Sequence, residues 1–261
     1  MNINKIKLTI LGSGSYQPEL NRHSASHLIQ IRNQNLVFDF GRGTLDQLMK
    51  LGINYYNIDA IFISHTHPDH FSELASFLHI ALAEPGIGER RKKDITIYGP
   101  KGFRGKMALF YRSLNIEKFR PKYKINIEEI PSGKIIKGKN WQIQGFNTTH
   151  SSSLNCLCYR LKHKNTIFAY SGDSSISLGL KKAINNVDLA LIEASWPEET
   201  APKTHLTAEQ AGKICQESGV KKMVLTHASP MYFKKYNLKK LARKYFKGLI
   251  ILARDLMKIN I

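Results

Sequence analysis

The chain has 261 residues, 42% of them hydrophobic and 23% charged, with a formal net charge of +19. Apolar residues occur throughout, which excludes a disordered chain, and no apolar run approaches the ~20 residues that a bilayer-crossing helix requires. The basic excess suits a polyanionic partner, and it equally suits a Lys-rich composition with no selected partner. The first ten residues lack the apolar block of a secretion signal. Three cysteines (Cys156, Cys158, Cys215) neither pair evenly nor match a zinc-ribbon spacing, so a reducing cytoplasm is the expected compartment.

Lys5 to Leu11 reads as a strand closed by Gly12-Ser13-Gly14-Ser15. Ala25 to Ile31 and Asn35 to Phe40 read as two more, joined by a polar Arg32-Asn33-Gln34 turn. Thr44 and Gln47 have capping-box spacing and predict a short helix ending at Gly52. Ala60 to Ser64 is β-branched and aromatic, as a strand would be. Asp69 to Ala83 has helical apolar spacing (Phe71, Leu74, Ala75, Leu78, Leu82), stopped by Pro85-Gly86. A strand over Asp94 to Tyr98 precedes a basic helical region. Further strands are expected at Lys124 to Ile130, Trp141 to Asn147, Leu154 to Leu161, Thr166 to Tyr170, Leu189 to Glu193, Lys222 to Thr226 and Gly248 to Ala253. In the Leu154 strand, Cys156 and Cys158 alternate with Leu157 and Tyr159 and are expected in the core. Thr207 and Gln210 open a helix ending at Gly219, and the last helix covers Asn237 to Phe246. With no repeat or linker, this alternation predicts one α/β domain over residues 1–261.

The strongest chemical signal is His65-Thr66-His67-Pro68-Asp69-His70, between a strand and a helix. Imidazole nitrogens and carboxylate oxygens suit zinc and its neighbours. Alternate side chains in a turn leaving a strand can converge on one ion. Three later apolar runs end in a residue of ligand type: Trp141 to Asn147 before His150, Ile167 to Tyr170 before Asp173, and Met223 to Leu225 before His227. Each lies at the carboxyl end of an expected strand, where open α/β sheets place their sites. Together these residues suffice for two metals sharing a carboxylate, an arrangement suited to phosphoester chemistry.

The order of these motifs resembles the metallo-β-lactamase superfamily. The resemblance implies an αβ/βα four-layer sandwich of two mixed β-sheets flanked by helices. It implies one divalent metal on His65, His67 and His150, a second on Asp69, His70 and His227, and Asp173 as the bridge. Zinc is the default; manganese or iron suit the same ligands. Leu11-Gly12-Ser13-Gly14-Ser15, Phe38-Asp39-Phe40-Gly41-Arg42-Gly43-Thr44, Ile97-Tyr98-Gly99-Pro100 and Ser171-Gly172-Asp173-Ser174 resemble the ribonuclease Z and phosphodiesterase branch. That branch implies hydroxide attack on phosphorus at the metals, with Asp69 in the catalytic set and His205 as proton donor to the leaving oxygen. Glu193 would orient His205, and Asp39 would support a metal-binding His.

Two departures stand out. Ribonuclease Z enzymes of the short type carry a protruding arm between the equivalents of His150 and Asp173, where this chain has only 22 residues. The proton-donor loop also has Leu206 where those enzymes commonly have Ser. Basic residues cluster in Lys101 to Lys124, eight against the single acid Glu117, interleaved with Phe103, Phe110, Tyr111, Phe119 and Tyr123. A second cluster, Lys234 to Lys258, has nine against Asp255, and Arg90-Arg91-Lys92-Lys93 reads as an exposed loop. The first reading is a ribonuclease Z-like nuclease acting on RNA. The alternative is a phosphodiesterase for small cyclic phosphates or nucleotides. Thioester or lactone hydrolysis is a third reading, and a nucleic-acid-binding protein with a vestigial site is the non-enzymatic one. No membrane partner is expected, and a homodimer is left open.

Overall fold

The computed structural model describes residues 6–83, 91–116, 121–196 and 203–261. Lys5, Pro85-Gly86, Arg90, Glu117 and Phe119 lie outside the described residues.

Two seven-stranded sheets stack face to face. The first has strand order β14-β1-β2-β3-β4-β5-β6, with β1 (Ile6–Gly12), β2 (Ser26–Ile31), β3 (Gln34–Phe38), β4 (Ala60–Phe62), β5 (Ile95–Gly99), β6 (Ile125–Glu129) and β14 (Lys258–Asn260). The second has strand order β13-β12-β11-β10-β9-β8-β7. Its strands are β7 (Ile135–Gly138), β8 (Trp141–Thr148), β9 (Cys156–His163), β10 (Thr166–Tyr170), β11 (Leu189–Glu193), β12 (Lys222–Thr226) and β13 (Leu249–Leu252). Both sheets are mixed. β3 to β6 run parallel, as do β10 to β13, while the remaining pairs are antiparallel.

The helices form the outer layers. α1 (Thr44–Lys50), α2 (Pro68–Phe71), α3 (Leu74–Ala83) and α4 (Phe103–Ser113) belong to the first half. α5 (Leu178–Ile184), α6 (Ala208–Glu217), α7 (Pro230–Lys235) and α8 (Leu238–Arg243) belong to the second. Four layers make three interfaces, and the buried apolar residues fall into three clusters. Phe38, Phe62, Tyr159, Phe168 and Leu191 fill the space between the sheets. Phe40, Phe77, Phe103 and Met107 pack under the first helical layer, and Ala169, Ile184, Leu206, Ile214 and Phe246 under the second. β9 is buried on both faces: Leu157 and Tyr159 enter the inter-sheet core, while Cys158 enters the outer one. All three cysteines are buried and free.

Several sequence expectations need correction. The helix expected over Asp69 to Ala83 breaks into α2 and α3. Thr44 and Gln47 form no capping box. Gly43 is the N-cap, at φ +89°, and the Thr44 hydroxyl donates back to the Gly41 carbonyl. The Glu73 carboxylate accepts the Thr44 N–H at 2.6 Å and so caps α1 from outside. The box at Thr207 and Gln210 does form. Arg91 is not exposed. It is 1% accessible and donates to the carbonyls of Tyr55, Ile58 and Asp94. β7, β14, α5 and α7 were not expected from the sequence. Among the described residues no helix is long and apolar enough to cross a membrane.

Candidate metal centre

Every chemical loop leaves the carboxyl end of a strand. Asp39 follows β3, the His65–His70 segment follows β4, Asp173 follows β10, Glu193 ends β11 and His227 follows β12. β8 is antiparallel to β9, and β9 to β10. β8 therefore runs in the same direction as β10 and brings His150 to the same edge. Three backbone features fix the convergence. Asp39 at φ +56° and His227 at φ +59° both hold left-handed conformations that non-glycine residues disfavour. Gly172, at φ +54°, lies so close to Ser64 that a Cβ would sit 2.7 Å from its side chain.

Asp173 sits at the centre. Its Oδ2 lies 3.7 Å from His150 Nε2 and 3.9 Å from His65 Nε2. Its Oδ1 lies 3.2 Å from His70 Nε2 and 3.5 Å from His227 Nε2, within ion-pair range but forming no hydrogen bond. One carboxylate thus addresses two groups through different oxygens. In the first group, His67 Nδ1 is 2.9 Å from His65 Nε2 and 3.0 Å from His150 Nε2. In the second, His227 Nε2 is 3.1 Å from both His70 Nε2 and Asp69 Oδ2.

These contacts are not explained by hydrogen bonds alone. A ring nitrogen has either one proton or one lone pair, so His67 Nδ1 cannot pair with both neighbours. A tetrahedral metal with M–N distances of 2.0–2.1 Å holds its nitrogens about 3.3 Å apart, close to the spacing found. In each group the candidate ligand atoms lie within 4.8 Å of one another. The donor set therefore fits divalent metal, as the fold class implies.

The electrostatics agree. Burial alone would lower the pKa of His70, but the Asp173, Asp69 and Asp39 carboxylates hold it well above the usual imidazole range, so the pocket favours positive charge here. Burial alone would raise the Asp173 carboxyl. His227, His70 and His65 instead hold it well below the ordinary carboxylate range. His65 is driven well down by burial and by His70, and His67 is lowered by burial and by His150, which keeps both rings neutral.

The rings of His70, His150 and His227 are anchored from behind, as ligand histidines require. His70 Nδ1 lies 2.7 Å from Asp39 Oδ2. Asp39 also accepts from Ser64 N at 2.6 Å, Ser64 Oγ at 2.8 Å and the Tyr170 hydroxyl at 2.6 Å. His150 Nδ1 donates to the Thr204 carbonyl at 3.0 Å, and His227 Nδ1 meets Ser195 Oγ at 2.9 Å. Sequence reasoning missed Ser64, Tyr170 and Ser195. Ser64 precedes the first histidine and Tyr170 ends a strand before Ser171-Gly172-Asp173, but neither residue type marks support of a distant carboxylate.

His205 lies in the loop before α6. Its ring centroid is 4.6 Å from that of His150, and its Nδ1 is 3.9 Å from Asp173 Oδ2. That nitrogen donates to Glu193 Oε2 at 2.9 Å. Glu193 is itself fixed by Ser174 N at 2.5 Å and Ser195 Oγ at 2.6 Å. Burial lowers the His205 pKa, but Glu193 and then Asp173 outweigh it and raise the value to about 9. In the metal-free chain the two carboxylates thus favour the doubly protonated ring, with Nδ1 committed to Glu193.

The 22-residue span between His150 and Asp173 folds as the β9–β10 hairpin. His163 pairs with Thr166, leaving two residues in the turn and no arm. In the basic Lys101 to Lys124 region, Phe103 and Tyr123 are buried and Tyr111 packs on the core, so these aromatics are structural. Phe110 differs: it packs on the core and also lines an open groove beside His67.

A ribonuclease Z of Methanosarcina acetivorans is 27% identical to this chain, covering 98% of each. A ribonuclease Z of Borrelia duttonii is 28% identical, covering 100% of this chain and 97% of the relative. Among solved structures, the metallo-beta-lactamase fold protein YhfI from Bacillus subtilis matches with a TM-score of 0.83 at 21% identity, over 98% of this chain and 99% of that one. The short form of human tRNase Z matches at 0.77 and 23% identity, over 97% and 98%. These two likenesses carry the fold alone. The model of the beta-lactamase superfamily domain matches residues 34–228, a stretch that starts at β3, holds Asp39 and ends just past His227. A match over most of the chain, enclosing the whole histidine–aspartate cluster, places this protein in the beta-lactamase superfamily domain family, with a metallo-β-lactamase fold.

Proposed function

We propose that this chain is a metal-dependent phosphodiesterase of ribonuclease Z type that cleaves an RNA phosphodiester. The observation that carries the reading is Asp173, whose two oxygens address two separate groups of imidazoles. The names of the sequence relatives support the substrate class. His65, His67 and His150 would hold one divalent metal, Asp69, His70 and His227 a second, and Asp173 would bridge, with zinc the expected ion. The whole catalytic set belongs to one hydrolase domain over residues 1–261, working in the cytoplasm.

When bound, the metals supply Lewis acidity at the phosphate and lower the pKa of a water toward neutrality. The remaining steps belong to the chain. Asp39 and Ser195 hold the rings of His70 and His227 in orientation. Asp69 stays ionised beside His70 and His227. Glu193 fixes His205, whose Nε2 gives its proton to the departing alkoxide oxygen. Strand ends and buried rings keep the cluster dry on its inner side.

The test is cleavage of a 3′-extended precursor transfer RNA beside a small cyclic nucleotide and a generic phosphodiester. Zinc or manganese is added, and Asp173→Ala and His205→Ala serve as controls. Precursor cleavage lost in both variants is expected. Turnover of the small esters with an untouched precursor would sink the RNA reading and favour a phosphodiesterase for small cyclic phosphates. The tight β9–β10 hairpin, which lacks an RNA-gripping arm, is the observation that keeps that second reading open.

A further inference from the structure

A groove of about 500 Å³ opens directly beside the metal centre, and His67 forms part of its wall. The other walls come from α4 (Lys106, Leu109, Phe110) and from Phe71 and Leu154. Its walls combine aromatic, aliphatic and cationic side chains. The Phe71 and Phe110 rings pack at 5.1 Å, and Leu109 stands 67% exposed on α4, whose other aromatics, Phe103 and Tyr111, pack into the core. A concave, partly apolar wall beside a reactive centre is the usual make-up of a ligand subsite. Lys106 places the one ammonium group of the lining at the near end, its Nζ 2.8 Å from the Thr66 hydroxyl, one residue from His67.

The position of His205 sets the direction of the substrate. The His150 ring touches both neighbours: His67 on one side, nitrogen to nitrogen at 3.0 Å, and His205 on the other, with ring centroids at 4.6 Å. The leaving oxygen must lie toward His205 to receive its proton. The ester that stays on phosphorus then extends the other way, past His67 into the groove.

We propose that the groove is a nucleoside subsite for the retained side of the scissile phosphate, with the base against Phe110, Phe71 and Leu109 and the phosphate beside Lys106. The occupant is a nucleoside joined through its own phosphate, because the lining offers an aromatic and aliphatic platform next to one cation. Platforms of this kind hold bases by stacking, with little preference among them. The inference rests on the phosphodiesterase reading, and the experiment separates the two.

Two chromogenic diesters are compared: the p-nitrophenyl ester of thymidine 5′-monophosphate and methyl p-nitrophenyl phosphate. In each, water oxygen bonds to phosphorus, the bond to the nitrophenolate oxygen breaks, and nitrophenolate leaves. The first retains thymidine 5′-monophosphate and the second methyl phosphate. The nucleoside ester is expected to show a KM roughly tenfold lower at similar kcat. Phe110→Ala removes that advantage and leaves the methyl ester unchanged. Leu109→Glu, at an exposed position that tolerates substitution, does the same by replacing part of the apolar platform under the base with a charged, hydrated carboxylate. Equal KM values for the two esters, or equal effects of the variants on both, overturn the subsite while leaving the phosphodiesterase intact. If neither ester turns over, calorimetric binding of thymidine 5′-monophosphate to the zinc-loaded protein decides: binding weakened about tenfold by Leu109→Glu and Phe110→Ala supports the subsite, and no binding, or binding indifferent to them, overturns it.

Discussion

Asp69, His70 and His227 form the enclosed half of the cluster, and His65, His67 and His150 form the half that meets the groove. In the enclosed half, His70 is fully buried and backed by a carboxylate, Asp39, which is held in turn by Ser64 and Tyr170. In the open half, the backing groups are neutral: the Ser64 hydroxyl 3.0 Å behind His65 and the Thr204 carbonyl behind His150. A carboxylate behind an imidazole raises its basicity and fixes its tautomer. The difference teaches that the two halves differ in what stands behind their imidazoles, a buried carboxylate in one and neutral oxygens in the other.

The largest effect is expected where the halves join. Asp173→Ala removes the carboxylate that faces both groups and leaves His70 and His227 with Asp69 as their shared carboxylate. Phosphodiester hydrolysis should fall by roughly a thousandfold or more. Elemental analysis should find less metal in both halves, and a variant that keeps full metal and activity would break the picture of a shared bridge.

His205→Ala comes next. It belongs to neither half, so metal content should stay whole while kcat drops by about 10²–10⁴. Loss of metal in this variant would make His205 a ligand, a role its place with Glu193, Asp173 and His227 also allows geometrically.

Asp39→Asn tests the contrast itself. It keeps the shape but removes the charge behind His70, so affinity for one metal equivalent should weaken by about 10–100-fold. The other equivalent should be unaffected, giving a two-phase chelator titration. A single phase shifted as a whole would mean that the halves are not independent.

Much of this site could be read from the sequence, because its residues carry local marks. Five histidines and two aspartates follow apolar strands or open a helix, and strand ends were easy to place: β10, β11 and β12 begin and end where the β-branched runs do. The support beneath them was less legible. Asp39 and Glu193 were visible as strand-end carboxylates, but their partners are set by contacts between sheets, such as Tyr170 reaching Asp39 across 131 residues. The Asp69 to Ala83 break went unseen because Glu73 is diverted to cap α1, a tertiary demand that the helical apolar spacing does not register. Arg91 was misread for a similar reason: beside the nearby Asp94 carbonyl, the carbonyls of Tyr55 and Ile58 more than thirty residues away make a buried cation tolerable, and the local sequence does not announce them.

The smallest effect on activity is expected at His27, just behind the enclosed half on β2. Like His70 it is fully buried, but among the described residues it makes no ion pair and neither ring nitrogen has a hydrogen-bond partner. Its ring packs edge-on against Tyr170 at 4.9 Å and its backbone pairs with Phe38. Burial first, and then the charges of His70 and His227, push its pKa down to about 3. The unfolded chain protonates this group near 6.5. Between these values the unfolded state binds a proton that the folded state refuses, so stability is full above about pH 6.5 and falls as pH drops toward 3. His27→Phe keeps a planar ring and removes the proton site. Its stability, followed by urea unfolding, should therefore fall less between pH 7 and pH 4, by about 3 kcal/mol relative to the unaltered chain. Parallel pH curves would mean that His27 opens to water before the fold is lost. A flatter curve would set it against His70: of two equally buried imidazoles, the fold supplies carboxylates only to the one that faces the metal centre.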